Sequence, residues 1–499
     1  MSLHSLLTDR RLILASNRGP LSYSLDKEGV VKQKRGGGGL ITAVDGMLAA
    51  TDDALWVTAA SNDAERLLAQ AGKPVGSTDK SYKVLFADVA EAAYADYYDG
   101  VSNGILWFLH HYLFNPAYEP VYDGAFPKAW AGYKEANYAI ATEIIKNLAG
   151  DQSGIVMVQD YHLYLIPERI RQESPETLIS FFHHIPWCCA DYFRLLPGGY
   201  RNAILNSLLC CDVIGMHTWR YVDNFLDCCA QFLNVRIDKE AHSVKVGGRT
   251  VLVRAYPISI SPKSLTKQAR SAPVVEMAEE LDKTLNGRKL LIRVDRAELS
   301  KNLLRGFQAY ELFLERQPDW IGKVTFLALT YPTRENIPAY KSYIQAVMRK
   351  VKEINARFST PTWQPIELNI EDNYSRSLAA MSICDCLMTN PIFDGMNLVA
   401  KETAVISRRD AVLILSETAG AAEELRDGAL LVSPFDVEAM AEKIEQALTM
   451  PEKEKKARSE RLRQVVLAND AVKWLTHQLD DLVANHPNQP ANSLTELAQ

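Results

Sequence analysis

The sequence contains no apolar run approaching the roughly 20 residues that cross a bilayer, and no membrane partner is expected. Nor is there an excess of basic charge. The 55 Lys and Arg stand against 61 Asp and Glu, for a net charge of −6, which argues against a nucleic-acid partner. A pocket can still gather a few arginines around a small anion whatever the total charge. The opening MSLHSLLTDRRLILAS lacks the charged head, apolar middle and small-residue cleavage site of a secretory signal, so a cytoplasmic protein is expected. Zinc-type CxxC spacing is missing. The eight cysteines include the adjacent pairs Cys188-Cys189, Cys210-Cys211 and Cys228-Cys229, which make poor disulfide partners for each other. Buried thiols and a fold without metal follow as expectations. No short-period repeat and no GxGxxG dinucleotide fingerprint appear, which disfavours a nicotinamide dehydrogenase.

What is present is ordinary globular chemistry, 47% hydrophobic and 23% charged residues over 499 positions. That length exceeds what one core usually serves, so two large domains are expected. Short apolar runs alternate with helical patterns throughout. Strands are predicted at Leu12–Ala15, Leu55–Thr58, Ile155–Val158, Leu178–Phe182, Asp212–Met216, Thr250–Arg254, Leu290–Val294, Val324–Leu329, Cys386–Thr389 and Val412–Ser416. Segments such as Asn302–Arg316 and Lys341–Ala356 carry apolar residues at helical spacing. Strand-then-helix repetition predicts an α/β protein with parallel, doubly wound sheets. The two prolines of YPISISP, 256–262, mark the expected hinge between an N-terminal domain, 1–258, and a C-terminal domain, 259–470. A helix and tail, 471–499, follow, with packing back on the N-terminal domain left open and a frayed end after His486.

In open α/β sheets, ligands bind where strands end in loops that feed helices. The first strand ends in Ser16-Asn17-Arg18-Gly19-Pro20. Arg35-Gly36-Gly37-Gly38-Gly39 then precedes a helical stretch, Ile41–Ala50, either as an anion-binding backbone or as a plain flexible loop. Two strands end in Asp160-Tyr161-His162 and His183-His184-Ile185-Pro186-Trp187. Their histidines serve either the core or sugar hydroxyls and oxygens that gain charge during reaction. In the second half, Arg296 and Lys301 leave one strand–helix loop, either as a diphosphate clamp or as a solvated charged turn. The most specific local signal is Asn390-Pro391-Ile392-Phe393-Asp394-Gly395-Met396-Asn397-Leu398-Val399-Ala400-Lys401-Glu402. There a buried strand meets an Asp-Gly turn and a helix begins at once, its first amides facing an incoming phosphate.

Taken in order, SNRGP, YYDGVSNGILW, QDYHL, FFHHIPW, the SKN loop, DGMNLVAKE and LSETAGAAEEL resemble the trehalose-6-phosphate synthase family of retaining glycosyltransferases over nearly the whole chain. The resemblance implies two facing Rossmann-like domains, the GT-B architecture, with the active site in the cleft between them. It also implies transfer of glucose from a nucleotide-glucose, UDP-glucose foremost, to glucose-6-phosphate without a metal or other cofactor. By motif, Arg18, Tyr98, Trp107 and Arg334 would hold the acceptor phosphate and Asp160 the acceptor hydroxyls. His184 would contact the transferring glucose. Arg296 and Lys301 would neutralise the donor diphosphate, helped by Gly39 and the amides of Asn397, Leu398 and Val399. Asp394 would hold glucose hydroxyls and Glu402 the ribose diol. Two positions depart from the family pattern: Ala59 where a second tryptophan is common, and Asn302 where SKG has glycine. Both bear on acceptor identity. Glucosylglycerol-phosphate synthases and cyclitol-coupling pseudo-glycosyltransferases share the resemblance, and a GDP-glucose donor, a silent sugar-phosphate sensor and homo-oligomerisation stay open.

Overall fold

The computed structural model describes residues 10–35, 54–76, 82–148, 154–334 and 336–485. The glycine run with Gly39, the helix expected over Ile41–Ala50 and the tail after His486 lie outside the described residues. The chain divides into two compact units, Met1–Tyr256 with Val472–Gln499, and Pro257–Ala471.

Apolar runs such as IVMVQ, LISFF, CLMT and VLILS are buried along their whole length. A strand covered on both faces of a parallel sheet requires that pattern. In the first unit the parallel strands lie in the spatial order Lys83–Ala87, Leu55–Ala59, Leu12–Ala15, Ile155–Gln159, Leu178–Phe182, Val213–Met216, Arg249–Ala255. The chain thus starts in the middle, runs out to one edge, returns beside its first strand and proceeds to the other edge. The order reverses between Leu12–Ala15 and Ile155–Gln159, which pair in register. An antiparallel hairpin, Arg236–Asp238 with Ser243–Val246, closes one edge. The helix Ala471–Ala484 sets the Trp474 ring 5.0 Å from Phe182, and Tyr256 donates its hydroxyl proton to Asp481 at 2.6 Å.

The second unit is a six-stranded parallel sheet in the order Ile366–Ile370, Val324–Tyr331, Lys289–Arg296, Cys386–Thr389, Val412–Ser416, Leu430–Val432. By chain order this is 3-2-1-4-5-6, the Rossmann arrangement, and its reversal lies between Lys289–Arg296 and Cys386–Thr389. Helix Leu303–Arg316 buries Phe307, Tyr310 and Phe313 against the sheet.

Four predicted strands match end for end and the other six lie within two residues of the observed ends. The strands at Lys83–Ala87, Ile366–Ile370 and Leu430–Val432 and the hairpin Leu21–Leu25/Val31–Arg35 are not among the predicted strands. Among the described residues no helix is long and apolar enough to cross a membrane. All eight cysteines are free thiols, six of them buried.

Candidate active site

In each unit, the reversal of strand order brings two strand ends together with polar loops. In the first unit the loop after Leu12–Ala15 is pinned from several sides. Trp56 Nε1 donates to Ser16 Oγ (2.7 Å), which in turn donates to the Arg18 carbonyl (2.7 Å). Thr58 Oγ1 donates to the Asn17 carbonyl (2.8 Å), and the Tyr97 hydroxyl to Asn17 Oδ1 (2.9 Å). These bonds fix the backbone and leave the Arg18 guanidinium exposed, 3.3 Å from the Tyr98 hydroxyl and 5.5 Å from the centre of its ring. Ala59 is buried at the end of the neighbouring strand.

Tyr98 and Trp107 arrive on an unusual element. Residues Asp96–Leu106 form a π-helix, which passes directly into the α-helical turn Trp107–His110. Such wide turns are rare and concentrate at functional sites. Gly104 suits it, since a Cβ there would meet the Asp99 carbonyl at 2.7 Å. Tyr98 is stacked between Tyr94 and His162 (5.7 and 5.8 Å), and Trp107 is buried with its ring on His111 (3.8 Å).

Across the reversal, Asp160 ends its strand at φ +76°, ψ 165°, a region that strains any side chain and that surrounding structure must enforce. Its amide donates to the Phe182 carbonyl (2.8 Å), and its carboxylate accepts the His184 amide (3.1 Å). The two histidines of HHIPW differ in exposure. His183 is buried, bonded to the Tyr164 hydroxyl and the Pro186 carbonyl, and belongs to the core. His184 is partly exposed. Its Nε2 lies 2.9 Å from Gln159 Oε1. Burial, with His217 nearby, pushes its pKa well below the usual value, so the ring is neutral.

In the second unit the segment RVDRAELSK is no solvated turn. Arg293, Asp295, Glu298 and Ser300 are buried and Arg296 alone of the charged residues up to Glu298 is exposed. Arg293 donates to Asp295 (2.8 Å) and to the Lys301 carbonyl (2.8 Å), locking the loop from beneath. Lys301 Nζ then meets Asp394 Oδ2 at 2.6 Å. Burial works against its charge, but the carboxylates of Asp394, Glu298 and Asp295 outweigh that and raise its pKa, so it is an ammonium. Burial also raises the carboxyl of Asp295 despite Arg293 and Lys301.

The Asp394 loop is held by close backbone approach. Gly420 N–H donates to the Asp394 carbonyl and Ala421 N–H to that of Met396 (3.0 and 2.8 Å); a Cβ on Gly420 would lie 1.9 Å from the Gly395 carbonyl oxygen. Asn397, at φ +90°, caps the helix Leu398–Ile406 by accepting the Ala400 amide (3.1 Å) and also donates to Asp394 (3.2 Å). The amides of Leu398 and Val399 open that helix, where no intrahelical acceptor serves them. One turn on, Lys401 points inward to Glu424 (2.6 Å) and the Ile258 carbonyl (2.8 Å), while burial raises the partly exposed Glu402 carboxyl to about 7. Arg334, at φ +50°, is paired with Glu298 at 3.0 Å.

Asn302, the departure from SKG, sits at φ +57° with its side chain turned inward, donating to the Asn390 and Pro434 carbonyls (3.0 and 2.7 Å). Sequence alone assigns no role to Glu298, Gln159 or Gly420, although each lies in a motif segment. For Glu298 the available signal was an acid set between the two cations Arg296 and Lys301. Among the described residues no group of His, Cys, Asp or Glu is arranged to hold a metal.

Two Rossmann-like units with charged side chains at their strand-order reversals match the architecture of GT-B glycosyltransferases. Comparison with known proteins agrees: the chain belongs to glycosyltransferase family 20, whose model matches residues 10–484. It is 33% identical over 470 residues to the UDP-forming alpha,alpha-trehalose-phosphate synthase of Schizosaccharomyces pombe, covering 91% of this chain and 86% of that protein. The Burkholderia xenovorans UDP-forming synthase in complex with glucose-6-phosphate superposes with a TM-score of 0.82 at 29% identity, covering 95% and 100% of the two chains. An E. coli structure, described as trehalose-6-phosphate bound with UDP-2-fluoro glucose, gives 0.83 at 28% identity, covering 95% and 98%.

Proposed function

We propose that this chain moves glucose from UDP-glucose to glucose-6-phosphate, releasing UDP and α,α-trehalose-6-phosphate with the configuration of the transferred glucose retained. The observation that carries the reading is the Lys301–Asp394 pair at the strand-order reversal of the second unit, in a chain whose relatives are named as UDP-forming synthases.

In the first unit, Arg18, Tyr98 and Trp107 are assigned to the acceptor phosphate: a guanidinium, a phenol and an indole N–H supply donors to a dianion. Asp160 takes acceptor hydroxyls, and the neutral His184 contacts the transferring sugar. In the second unit, Arg296, Lys301 and the amides of Asn397, Leu398 and Val399 take the donor diphosphate. Asp394 takes glucose hydroxyls, Glu402 the ribose diol, and Arg334 the acceptor phosphate. Gly39 is assigned to the donor from its motif alone.

As the glycosidic bond breaks, charge grows on the departing diphosphate, and fixed cations lower the barrier most when they meet that charge already in place. The leaving oxygen accepts the proton of the attacking hydroxyl on the same face, so no protein nucleophile and no metal enter the reading. The setting is cytoplasmic, with small molecules as partners.

A substrate matrix tests this. UDP-, GDP- or ADP-glucose is paired with glucose-6-phosphate, glycerol-3-phosphate or no acceptor, and products are read by mass spectrometry. A disaccharide phosphate is expected with UDP-glucose and glucose-6-phosphate. Product with another acceptor alone would overturn the acceptor assignment and move attention to Ala59, and no product from folded protein would overturn the transferase reading.

A further inference from the structure

Glu298 lies between the two cations assigned to the donor, two residues after Arg296 and three before Lys301. Its side chain is fully buried, and its two carboxylate oxygens have separate partners, one in its own loop and one on the loop after the neighbouring strand. Oε1 accepts the Ser300 hydroxyl at 3.2 Å. Oε2 accepts Arg334 Nη1 at 3.0 Å, and the side chains of the pair are 4% and 0% exposed. The Glu298 carbonyl also accepts the Lys301 amide, at 3.2 Å.

Arg334 is not held by that carboxylate alone. Its backbone has positive φ, and the same Nη1 donates to the Tyr340 hydroxyl (2.8 Å), at the start of helix Pro338–Phe358. Two anchors therefore fix one guanidinium nitrogen on a loop that follows Val324–Tyr331, the strand paired with Lys289–Arg296. A charge taken out of water is tolerated only when paired, and the pairing fixes where both partners stand.

We propose that Glu298 is a positioning residue that sets Arg334 for the acceptor phosphate and ties it to the loop carrying Lys301. One buried carboxylate then couples the placement of the acceptor to that of the cation facing the donor. The inference rests on the assignment of Arg334 to the acceptor phosphate under the proposed function, and the test separates the two.

Full-length enzyme is assayed with both substrates varied, alongside thermal melts. Glu298→Gln removes the charge and keeps the shape; the KM for glucose-6-phosphate should rise at least about tenfold, the worth of one hydrogen bond to a charged group, with a smaller change in the donor KM. Glu298→Asp, which keeps the carboxylate, should recover part of that loss. Tyr340→Phe should raise the acceptor KM alone. The double variant Glu298→Gln/Arg334→Ala should bind acceptor no worse than Arg334→Ala, because Glu298 acts through the arginine.

Equal rises in both KM values, or additive losses in the double variant, would overturn the positioning role. An unchanged acceptor KM in Arg334→Ala would instead sink the assignment of Arg334 itself. Should Glu298→Gln not fold, Glu298→Asp and Tyr340→Phe decide: an acceptor-selective rise supports the role, and wild-type acceptor KM in both contradicts it.

Discussion

Lys301 Nζ and Asp394 Oδ2 are 2.6 Å apart although 93 residues separate them in the chain. Their loops leave adjacent strands, Lys289–Arg296 and Cys386–Thr389, at the place where strand order reverses. The pair is therefore built by topology, and it presets an ammonium before any substrate arrives. Replacing Lys301 with Ala should lower kcat by about 10²–10³-fold, the usual loss when one fixed stabiliser of a developing anion is removed. Steady-state kinetics at saturation check this, and near-normal turnover would remove Lys301 from the chemistry.

Asn302 should prove a structural substitution. Its left-handed backbone suits asparagine next after glycine, and its amide joins the Ser300–Asn302 loop to Asn390 and Pro434. Asn302→Gly should cost about 1 kcal/mol, because two buried carbonyls lose their donor while backbone strain is relieved. Denaturant titration and product mass check both halves: lower stability, same product. A changed acceptor preference would show that Asn302 selects substrate.

Lys401 should matter to folding more than to catalysis. It is buried and joined to Glu424 and the Ile258 carbonyl; burial lowers its pKa, while Glu424 works the other way. Lys401→Met strands the Glu424 carboxylate and should destabilise the protein by roughly 3–5 kcal/mol. Lys401→Met/Glu424→Gln should recover most of that in a melt, with kcat close to wild type. A double variant as unstable as the single would contradict the pairing.

These cases show what one sequence conveys. Strands such as Leu178–Phe182 and Cys386–Thr389 were legible because a buried parallel strand must be apolar throughout. Ile366–Ile370, at the sheet edge, is only partly buried and mixes polar with apolar residues, so its pattern carried no such signal. The loops bearing Arg18, Asp160, Lys301 and Asp394 were legible as strand ends. Direction was not: Lys401 and Glu402 are neighbours, and only the packed helix sends one inward to Glu424 and leaves the other partly exposed. The buried Glu298–Arg334 pair joins residues 36 apart, a distance over which local spacing says nothing.

Glu402 should give donor binding a pH dependence near neutrality. Burial raises its carboxyl from 4.5 to about 7, so the folded state favours the protonated form. The stability this lends is full below the ordinary carboxyl range and is lost as pH rises through about 7. In the proposed role binding runs the opposite way, because only the ionised carboxylate would accept both diol hydroxyls. The KM for UDP-glucose should therefore rise as pH falls through about 7, and Glu402→Gln should raise it throughout and flatten the profile. An unchanged inflection in that variant would assign the titration elsewhere.

The most direct measurement is proton NMR of the product formed from UDP-glucose and glucose-6-phosphate. The account predicts UDP and a disaccharide phosphate in which both anomeric protons show the small coupling of the α configuration. A large coupling at the transferred sugar, marking inversion, or the release of free glucose in place of a disaccharide, would contradict it.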